Sequence, residues 1–171
     1  MSGPNLLTPR LQLREFTVAD APFILRLVNE PAWLAHIGDR GVHTVGDAER
    51  YLRTGPMAMY RREGFGLWCV VLQETGAPIG MCGVLRRASL EAPDLGFAML
   101  AAHRRQGYTL EAAQATVSYA QRVLGLSELL AITSPTNEAS KALLRRLGFR
   151  ALREETDVHV FQLALDDGAT P

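Results

Sequence analysis

The stretch DLGFAMLAAHRRQGYT, residues 94–109, runs from an apolar segment through a basic turn into a periodic segment. The apolar segment, Asp94 to Leu100, predicts a buried strand. Beyond the turn, apolar residues recur at three- and four-residue steps, which predicts a long helix with Gly125 as its C-cap. The turn between strand and helix, residues 104–109, is therefore the first candidate for a ligand site.

This turn has the features of an anion site. The first backbone N–H groups of a helix lack partners within the helix, and the peptide dipoles place about half a positive charge there. Such an end suits a phosphate group. Gly107 allows close approach of the backbone to a ligand, and Arg104 and Arg105 add charge. The segment lacks the sequence of a Walker loop or a dinucleotide loop, and on its own it also fits an ordinary strand-to-helix turn.

Outward from this stretch, hydrophobic periodicity and breaker residues predict the other elements. The predicted helices span Thr17 to Pro31, 47–62 and a segment that starts at Ser134-Pro135 and ends at Gly148, and a loop covers 33–45. The other predicted strands cover 11–14, 67–72, 78–85, 129–133, 149–152 and 158–165. This order predicts a mixed α/β protein with hairpins at both ends.

Composition bounds the class of protein. The chain has 171 residues, of which 47% are hydrophobic, and a formal net charge of zero. We expect a single domain over 1–171, with an ordered core from about 8 to 165 and a loose tail from Asp166 to Pro171. The charge balance, and the lack of a basic stripe interleaved with aromatic residues, disfavour nucleic acid as a partner.

Targeting and metal signals are also missing from the sequence. No apolar run approaches the roughly 20 residues of a membrane span, so no membrane partner is expected. Residues 1–8 lack the pattern of a secretory signal, and we expect a cytoplasmic protein. Cys69 and Cys82 belong to no close cluster of cysteine and histidine, so we expect no metal.

Two segments together resemble the GNAT N-acetyltransferase superfamily. Its pyrophosphate loop reads Arg or Gln, two residues, Gly, one residue, then Gly or Ala. Arg104 and Gly107 fit this motif, while Thr109 stands where Gly or Ala is usual. The later segment NEASKALLRRLGF, residues 137–149, resembles the superfamily's second cofactor helix, Asn-x-x-Ser/Ala through Leu-Gly-Phe.

The resemblance extends from Leu11 to Leu165. Within the superfamily, GYTLEA at residues 107–112 is similar to the Gly-Tyr-Ala-Thr-Glu-Ala of the ribosomal-protein alanine N-acetyltransferase branch. The implied fold is α+β. It has a mixed, mostly antiparallel sheet of about six or seven strands, splayed at strand four near residues 94–100, and about four flanking helices.

The resemblance implies acetyl-CoA as the cosubstrate. Its pantetheine arm would enter the splay and bond the backbone like an added strand, at Ala98, Met99 and Leu100. Asn137 would also bond this arm. The pyrophosphate would be held by the loop residues Arg104, Arg105, Gln106, Gly107, Tyr108 and Thr109.

Acetyl transfer to an amine requires a proton acceptor, because an alkylamine with a pKa of about 10 is protonated at neutral pH. Asp94 matches the position at which an acid on the splayed strand serves as the base in several superfamily members. Glu is commoner there, and the shorter Asp favours a bridging water. Glu91 is an alternative carboxylate, and Asp94 could instead be a strand-entry residue that meets solvent or caps a turn.

A proton donor for the departing thiolate is also expected. Many superfamily members place a Tyr seven residues after the Asn, but Leu144 stands there and cannot donate. The alanine N-acetyltransferase branch uses the Ser three residues after the Asn, which is Ser140 here. Asn137 and Ser140 share a helix face. Ser140 could equally be an exposed serine or one bonded to its own helix, and Tyr108 is assigned to packing.

The acceptor site is expected between the first two predicted helices, where superfamily members vary. Trp33 lies there with Asp39, which could attract a cationic amine, and Arg40, which could attract a carboxylate. Residues 38–41 could also be a plain surface turn. The scattered histidines (His36, His43, His103 and His159) are assigned structural or solvent-exposed roles.

The leading functional hypothesis is acetyl transfer from acetyl-CoA to a primary amine of a small molecule or a protein N-terminus. A different acyl donor, such as succinyl-CoA, is one alternative. A second alternative is a non-catalytic acyl-CoA-binding sensor or scaffold, which Leu144 and the short Asp94 leave open. A homodimer is plausible.

Overall fold

The computed structural model describes residues 3–165, so the tail that we expected to be loose, Asp166–Pro171, lies outside the described residues. The strands are β1 (Leu6–Leu7), β2 (Leu11–Glu15), β3 (Leu67–Leu72), β4 (Pro78–Leu85), β5 (Asp94–Met99), β6 (Glu128–Thr133), β7 (Arg150–Glu154) and β8 (His159–Ala164). They form one eight-stranded sheet in the order β1-β2-β3-β4-β5-β6-β8-β7.

Six α-helices accompany this sheet within residues 3–165. They are α1 (Ala21–Leu27), α2 (Pro31–His36), α3 (Val45–Thr54), α4 (Pro56–Glu63), α5 (Tyr108–Arg122) and α6 (Glu138–Arg146). Two short 3-10 helices, Val18–Asp20 and Ala101–His103, precede α1 and α5. No helix of this part of the chain has the length and apolar character needed to cross a membrane.

The sheet opens between β5 and β6. All other neighbouring strands pair antiparallel, whereas β5 and β6 are parallel and share a single register pair, Asp94 with Leu130. The Leu130 N–H donates to the Pro93 carbonyl at 2.9 Å just before this pair. Beyond it the two strands have no ladder partners in each other. The predicted splay is confirmed, and Asp94 marks its apex.

Alternation along the strands builds a core on both faces of the sheet. Because successive side chains of a strand point to opposite faces, Trp68 and Val70 of β3 pack on one side, and Cys69 and Val71 pack on the other. The first side also receives α5 and α6, and the second receives α1, α2 and α3. Cys69 and Cys82 are free and buried, as expected of small hydrophobic side chains.

The N-terminal helical region differs from the prediction. Residues 33–45 are not all loop, because Pro31 begins helix α2 as its first residue instead of only ending the preceding helix. The predicted helix over 47–62 is two helices, because the chain bends at Gly55 and restarts at Pro56. Counting these changes, the described chain has more helices than the four that we expected.

Three further boundaries differ. The two-residue strand β1 was not predicted because two residues carry no readable alternation. Helix α6 does not begin at Ser134-Pro135, since the Asn137 side chain caps it instead and Glu138 is its first residue. Helix α5 ends at Arg122, and Gly125 takes its left-handed conformation (φ +66°) in the following turn, not at the C-cap.

Candidate active site

The loop before α5 has the geometry of an open helix N-terminus. Gly107 is the N-cap residue at φ +82°, and no side chain caps the helix. The N–H groups of the first turn therefore remain available to a ligand. Arg105 also has a positive φ, +62°, which is uncommon for a residue with a Cβ and typical of functional loops.

Arg10 contacts this loop and holds it in position, a role that sequence reasoning missed. Its guanidinium donates to the Gln106 carbonyl at 2.8 Å and forms an ion pair with Glu111 at 2.8 Å. It also lies 4.3 Å from the centre of the Tyr108 ring. Arg10 comes from the turn between β1 and β2, so no local sequence signal links it to the loop. These contacts agree with a packing role for Tyr108.

The Arg104 side chain forms contacts within the protein. Its guanidinium donates to the Met99 carbonyl at 3.1 and 3.2 Å and lies 3.6 Å from the Glu30 carboxylate. The Leu100 N–H donates to the Ile79 carbonyl at 2.8 Å. Two of the backbone groups expected to meet the pantetheine arm thus already have protein partners, and Arg104 holds the end of β5 in place.

Asp94 is fully buried at the apex of the splay. Its side chain is 0% exposed, and its two carboxylate oxygens share the single N–H of the Arg87 Nε, at 3.1 and 3.2 Å. Burial raises the pKa of the Asp94 carboxyl to about 6, although the Arg87 charge acts in the opposite direction. A carboxyl group with such a pKa can exchange a proton near neutral pH. Arg87 was not predicted to belong to the site.

The alternative carboxylate, Glu91, has a different environment. It is exposed and forms a two-pronged ion pair with Arg153 at 2.8 and 3.1 Å. This interaction lowers the pKa of the Glu91 carboxyl. A lowered pKa makes a carboxylate a weaker proton acceptor, so the geometry favours Asp94 over Glu91 as a base.

Asn137 and Ser140 lie at the start of α6. The Asn137 Oδ1 accepts a hydrogen bond from the Ser140 N–H at 3.2 Å, which leaves the amide NH₂ of Asn137 free to donate. The Ser140 hydroxyl is half-buried and has no hydrogen-bond partner within residues 3–165, so it is not bonded to its own helix. Leu144 is 0% exposed and packs in the core.

The predicted acceptor residues occupy three different environments. Trp33 is buried in the core of α1 to α3, and its indole N–H has no partner among the described residues. Asp39 is exposed and accepts the Gly41 N–H at 2.8 Å, as in a surface turn. Arg40 lines an open depression between this turn and α3.

Helix α2 spans the mouth of the splay. At its N-terminal end, Glu30 accepts the Ala101 N–H at 2.9 Å, on the β5 side. At its C-terminal end, the His36 Nδ1 lies 2.7 Å from the Ser134 Oγ, directly after β6. His36 was expected to be structural or exposed, and this contact gives it a place at the mouth of the site. Across the described chain, no group of three or more His, Cys, Asp or Glu side chains is arranged to hold a metal ion.

Comparison with known proteins identifies the fold as that of acetyltransferases. A solved acetyltransferase from Agrobacterium tumefaciens is 28% identical and has a TM-score of 0.81, with 95% of each chain covered. The model of the acetyltransferase (GNAT) domain matches residues 10–150. The chain therefore belongs to the GNAT acetyltransferase family, and it is an N-acetyltransferase.

Two other relatives are informative. The uncharacterized N-acetyltransferase YoaA of Bacillus subtilis is 29% identical over 148 residues, which cover 86% of this chain and 83% of that protein. RimL, a ribosomal L7/L12 alpha-N-protein acetyltransferase solved in complex with coenzyme A, is 18% identical and has a TM-score of 0.81. The match covers 95% of this chain and 98% of that chain, and it shows a shared fold.

Proposed function

We propose that this N-acetyltransferase transfers an acetyl group from acetyl-CoA to a primary amine of a small molecule or a protein N-terminus. The amine attacks the thioester directly. The observation that carries the proposal is the position of the splay. It lies between the uncapped start of α5 and the start of α6, with the buried Asp94 at its apex.

The cofactor assignment follows from the polar groups around the splay. The free N–H groups at the start of α5, together with Arg105, suit a diphosphate. The free amide NH₂ of Asn137 suits a carbonyl of the pantetheine arm. The assignment is supported by RimL, a protein of the same fold, which was solved in complex with coenzyme A.

Two of this chain's residues would act on the reacting groups. Asp94 accepts a proton from the ammonium group of the acceptor through water, because its own side chain is covered by Arg87. The free amine then attacks the thioester carbonyl, and the C–S bond breaks as the tetrahedral intermediate collapses. The Ser140 hydroxyl donates a hydrogen bond to the departing thiolate. The net products are an amide, free CoA thiol and one proton.

Release of CoA thiol from acetyl-CoA against a panel of amines tests the proposal. The panel contains peptides with a free N-terminus, polyamines, amino acids and aminoglycosides. Ser140→Ala should lower kcat by at least about tenfold, as expected for the loss of one hydrogen bond to a charged group. Ser127→Ala is the matched control, because Ser127 is exposed in the loop before β6, and it should leave kcat unchanged.

Binding and turnover separate the possible failures. Absence of any affinity for CoA or acetyl-CoA would overturn the cofactor assignment. Binding of acetyl-CoA with no thiol release for any amine of the panel would overturn the acceptor assignment. Faster thiol release from succinyl-CoA than from acetyl-CoA would show that the acyl donor is succinyl-CoA and not acetyl-CoA.

A further inference from the structure

An open depression of about 200 Å³ lies in the region where the acceptor site is expected. It is formed by the turn after α2 and one face of α3, and it is lined by Arg40, Gly41, Val42, Asp47, Arg50, Tyr51 and Thr54. The lining carries two guanidinium groups and one carboxylate, so its charge is positive.

The charged side chains of this lining differ in whether they have hydrogen-bond partners. Asp47 caps α3, because its carboxylate accepts the N–H groups of His43 at 3.0 Å and Thr44 at 3.2 Å. These bonds lower the pKa of the Asp47 carboxyl. Arg40 and Arg50, in contrast, have no ion pair or side-chain hydrogen bond within residues 3–165. The charge of Arg50 also acts on Asp47, but the N–H donors of both guanidinium groups remain available to an anion.

Tyr51 lines the depression and is influenced by the charge of Arg87. Its hydroxyl has no hydrogen-bond partner in the described chain. Burial raises the pKa of the Tyr51 hydroxyl, while Arg40 and Arg87 act in the opposite direction because both cations lie near it. Arg87 is the residue that holds Asp94, at 3.1 Å. The charge of the Arg87 guanidinium thus acts on the Tyr51 hydroxyl and on the proposed base alike.

We propose that this depression binds a carboxylate of the acceptor, so that the preferred substrates are small amines that also carry a carboxylate group. The inference rests on the proposed function and adds the substrate class. Arg40 and Arg50 supply charge and planar donors that match a carboxylate, and the Tyr51 hydroxyl supplies a further donor. The amine of the same molecule extends toward Arg87 and Asp94.

The environment of Asp39 favours a carboxylate, and not a second cationic group, as the part of the acceptor that binds in the depression. Asp39 is the carboxylate that could have attracted a cationic group. It accepts the Gly41 N–H and lies 3.8 Å from the His43 Nε2. It does not line the depression. Asp39 and Asp47 thus have hydrogen-bond partners, whereas the guanidinium groups of Arg40 and Arg50 have none in the part of the chain that the structure describes.

Matched pairs of acceptors test this inference. Acetylation of glycine, β-alanine and 4-aminobutyrate is compared with that of their carboxamides, which keep the amine and lose the charge. We expect kcat/KM at least about tenfold higher for the best carboxylate than for its amide, as for a charge-assisted hydrogen bond. Equal values for all pairs would overturn the inference. They would leave the proposed function intact as long as thiol is released.

Substitutions in the depression test which side chains bind the carboxylate. Arg40→Gln and Tyr51→Phe should raise KM for the carboxylate acceptor and leave KM for its amide unchanged. Arg53→Gln is the matched control, because Arg53 lies on the same helix, is paired with Glu49 at 3.6 Å and does not line the depression. An Arg40→Gln effect that is equal for acid and amide would contradict a carboxylate site.

A measurement on the unaltered protein guards against misfolded variants. Propionate has the carboxylate of β-alanine but no amine, so it should inhibit acetylation competitively against the acceptor. Propionamide, its neutral counterpart, should not inhibit. Inhibition of the same strength by both compounds, or by neither, would overturn the inference without any substitution.

Discussion

Asp94 and Arg87 form an ion pair whose two partners differ in exposure. The carboxylate is fully buried, whereas about a third of the Arg87 side chain is exposed, 35%. Burial penalises the charged carboxylate more than the single guanidinium stabilises it, and the pKa of Asp94 rises to about 6 for this reason. Burial therefore raises the basicity of the Asp94 carboxylate, while Arg87 favours its ionised form at neutral pH.

A pH profile reports on this balance. Below about pH 6 the Asp94 carboxyl becomes protonated and cannot accept a proton, so kcat/KM should fall tenfold per pH unit on the acid side. Asp94→Asn should lower kcat by about 100-fold and abolish this acid limb. Arg87→Gln should move the limb to higher pH, because the opposing charge is gone. An unchanged limb in Asp94→Asn would assign it to another group.

Both the backbone conformation and the space around residue 107 favour glycine at this position. Its φ of +82° lies in the left-handed region, and a Cβ there would also meet the Arg10 Nη2 at 3.2 Å. Arg10 cannot withdraw freely, because it is bonded to Gln106 and Glu111. A substitution at Gly107 should therefore displace the loop that faces the proposed diphosphate.

Gly107→Ala should destabilise the fold by about 1–2 kcal/mol through the left-handed backbone. It should also weaken CoA binding at least about tenfold, as measured by calorimetry. Gly64→Ala is the control, since Gly64 has φ +80°, caps α4 and has nothing within 4 Å of its Cβ position. The control should show the same destabilisation with normal affinity. Equal affinity loss in both variants would point to a global effect.

At the scale of the element, α2 is short but tied at both ends. A six-residue helix has little stability of its own, so its position depends on tertiary contacts. Trp33 packs into the core, Glu30 bonds the backbone before the α5 loop, and His36 contacts Ser134 after β6. The two end contacts belong to opposite sides of the splay, so α2 bridges them.

Loss of the contact at His36 should loosen this bridge. In His36→Ala, the backbone amides of residues 32–37 should exchange with deuterium several-fold faster, because local opening becomes easier. The acceptor KM should rise more than kcat falls. His43→Ala is the control, since His43 is exposed and lies beyond α2. Unchanged exchange in His36→Ala would show that Trp33 alone holds the helix.

For the whole molecule, the buried Asp94 links folding to proton binding. Its ordinary pKa is 3.8, and its pKa in the folded protein is about 6. Between these values the folded state binds more protons than the unfolded state, so the free energy of unfolding falls as pH rises. The full difference corresponds to about 3 kcal/mol.

Denaturant unfolding of the unaltered protein and of Asp94→Asn from pH 4 to 8 measures this linkage. The variant carries no titrating group at this position, so its stability relative to the unaltered protein should increase between pH 4 and 6. The difference should then stay constant above about pH 6.5. A difference that does not vary with pH would mean that Asp94 titrates alike in the folded and unfolded states.

Much of the fold could be read from local patterns. The strands at 67–72 and 78–85 and their hairpin were predicted from apolar runs and the turn between them. The break at Gly55-Pro56 and the new start at Pro31 were missed, because proline both ends and begins helices. The sequence does not say which of the two it does at a given position.

In the candidate site, too, some residues could be predicted from the sequence and others could not. The loop before α5, Asp94, Asn137 and Ser140 could be named because each lies in a motif or at a fixed spacing. Arg10 and His36 could not, since their partners are distant in sequence, and Arg87 could not, since it lies in no motif itself. The roles proposed for the named residues stay predictions until the variants above are measured.

The sequence by itself determined the family and the order of most elements, and it supplied the positions proposed to face a cofactor, because hydrophobic periodicity, short motifs and backbone requirements are local properties of the chain. The tertiary structure alone decided what surrounds Asp94, where α2 lies and which arginines remain free. These depend on burial and on pairs of charges brought together by the sheet, and such properties arise only when distant segments pack against each other.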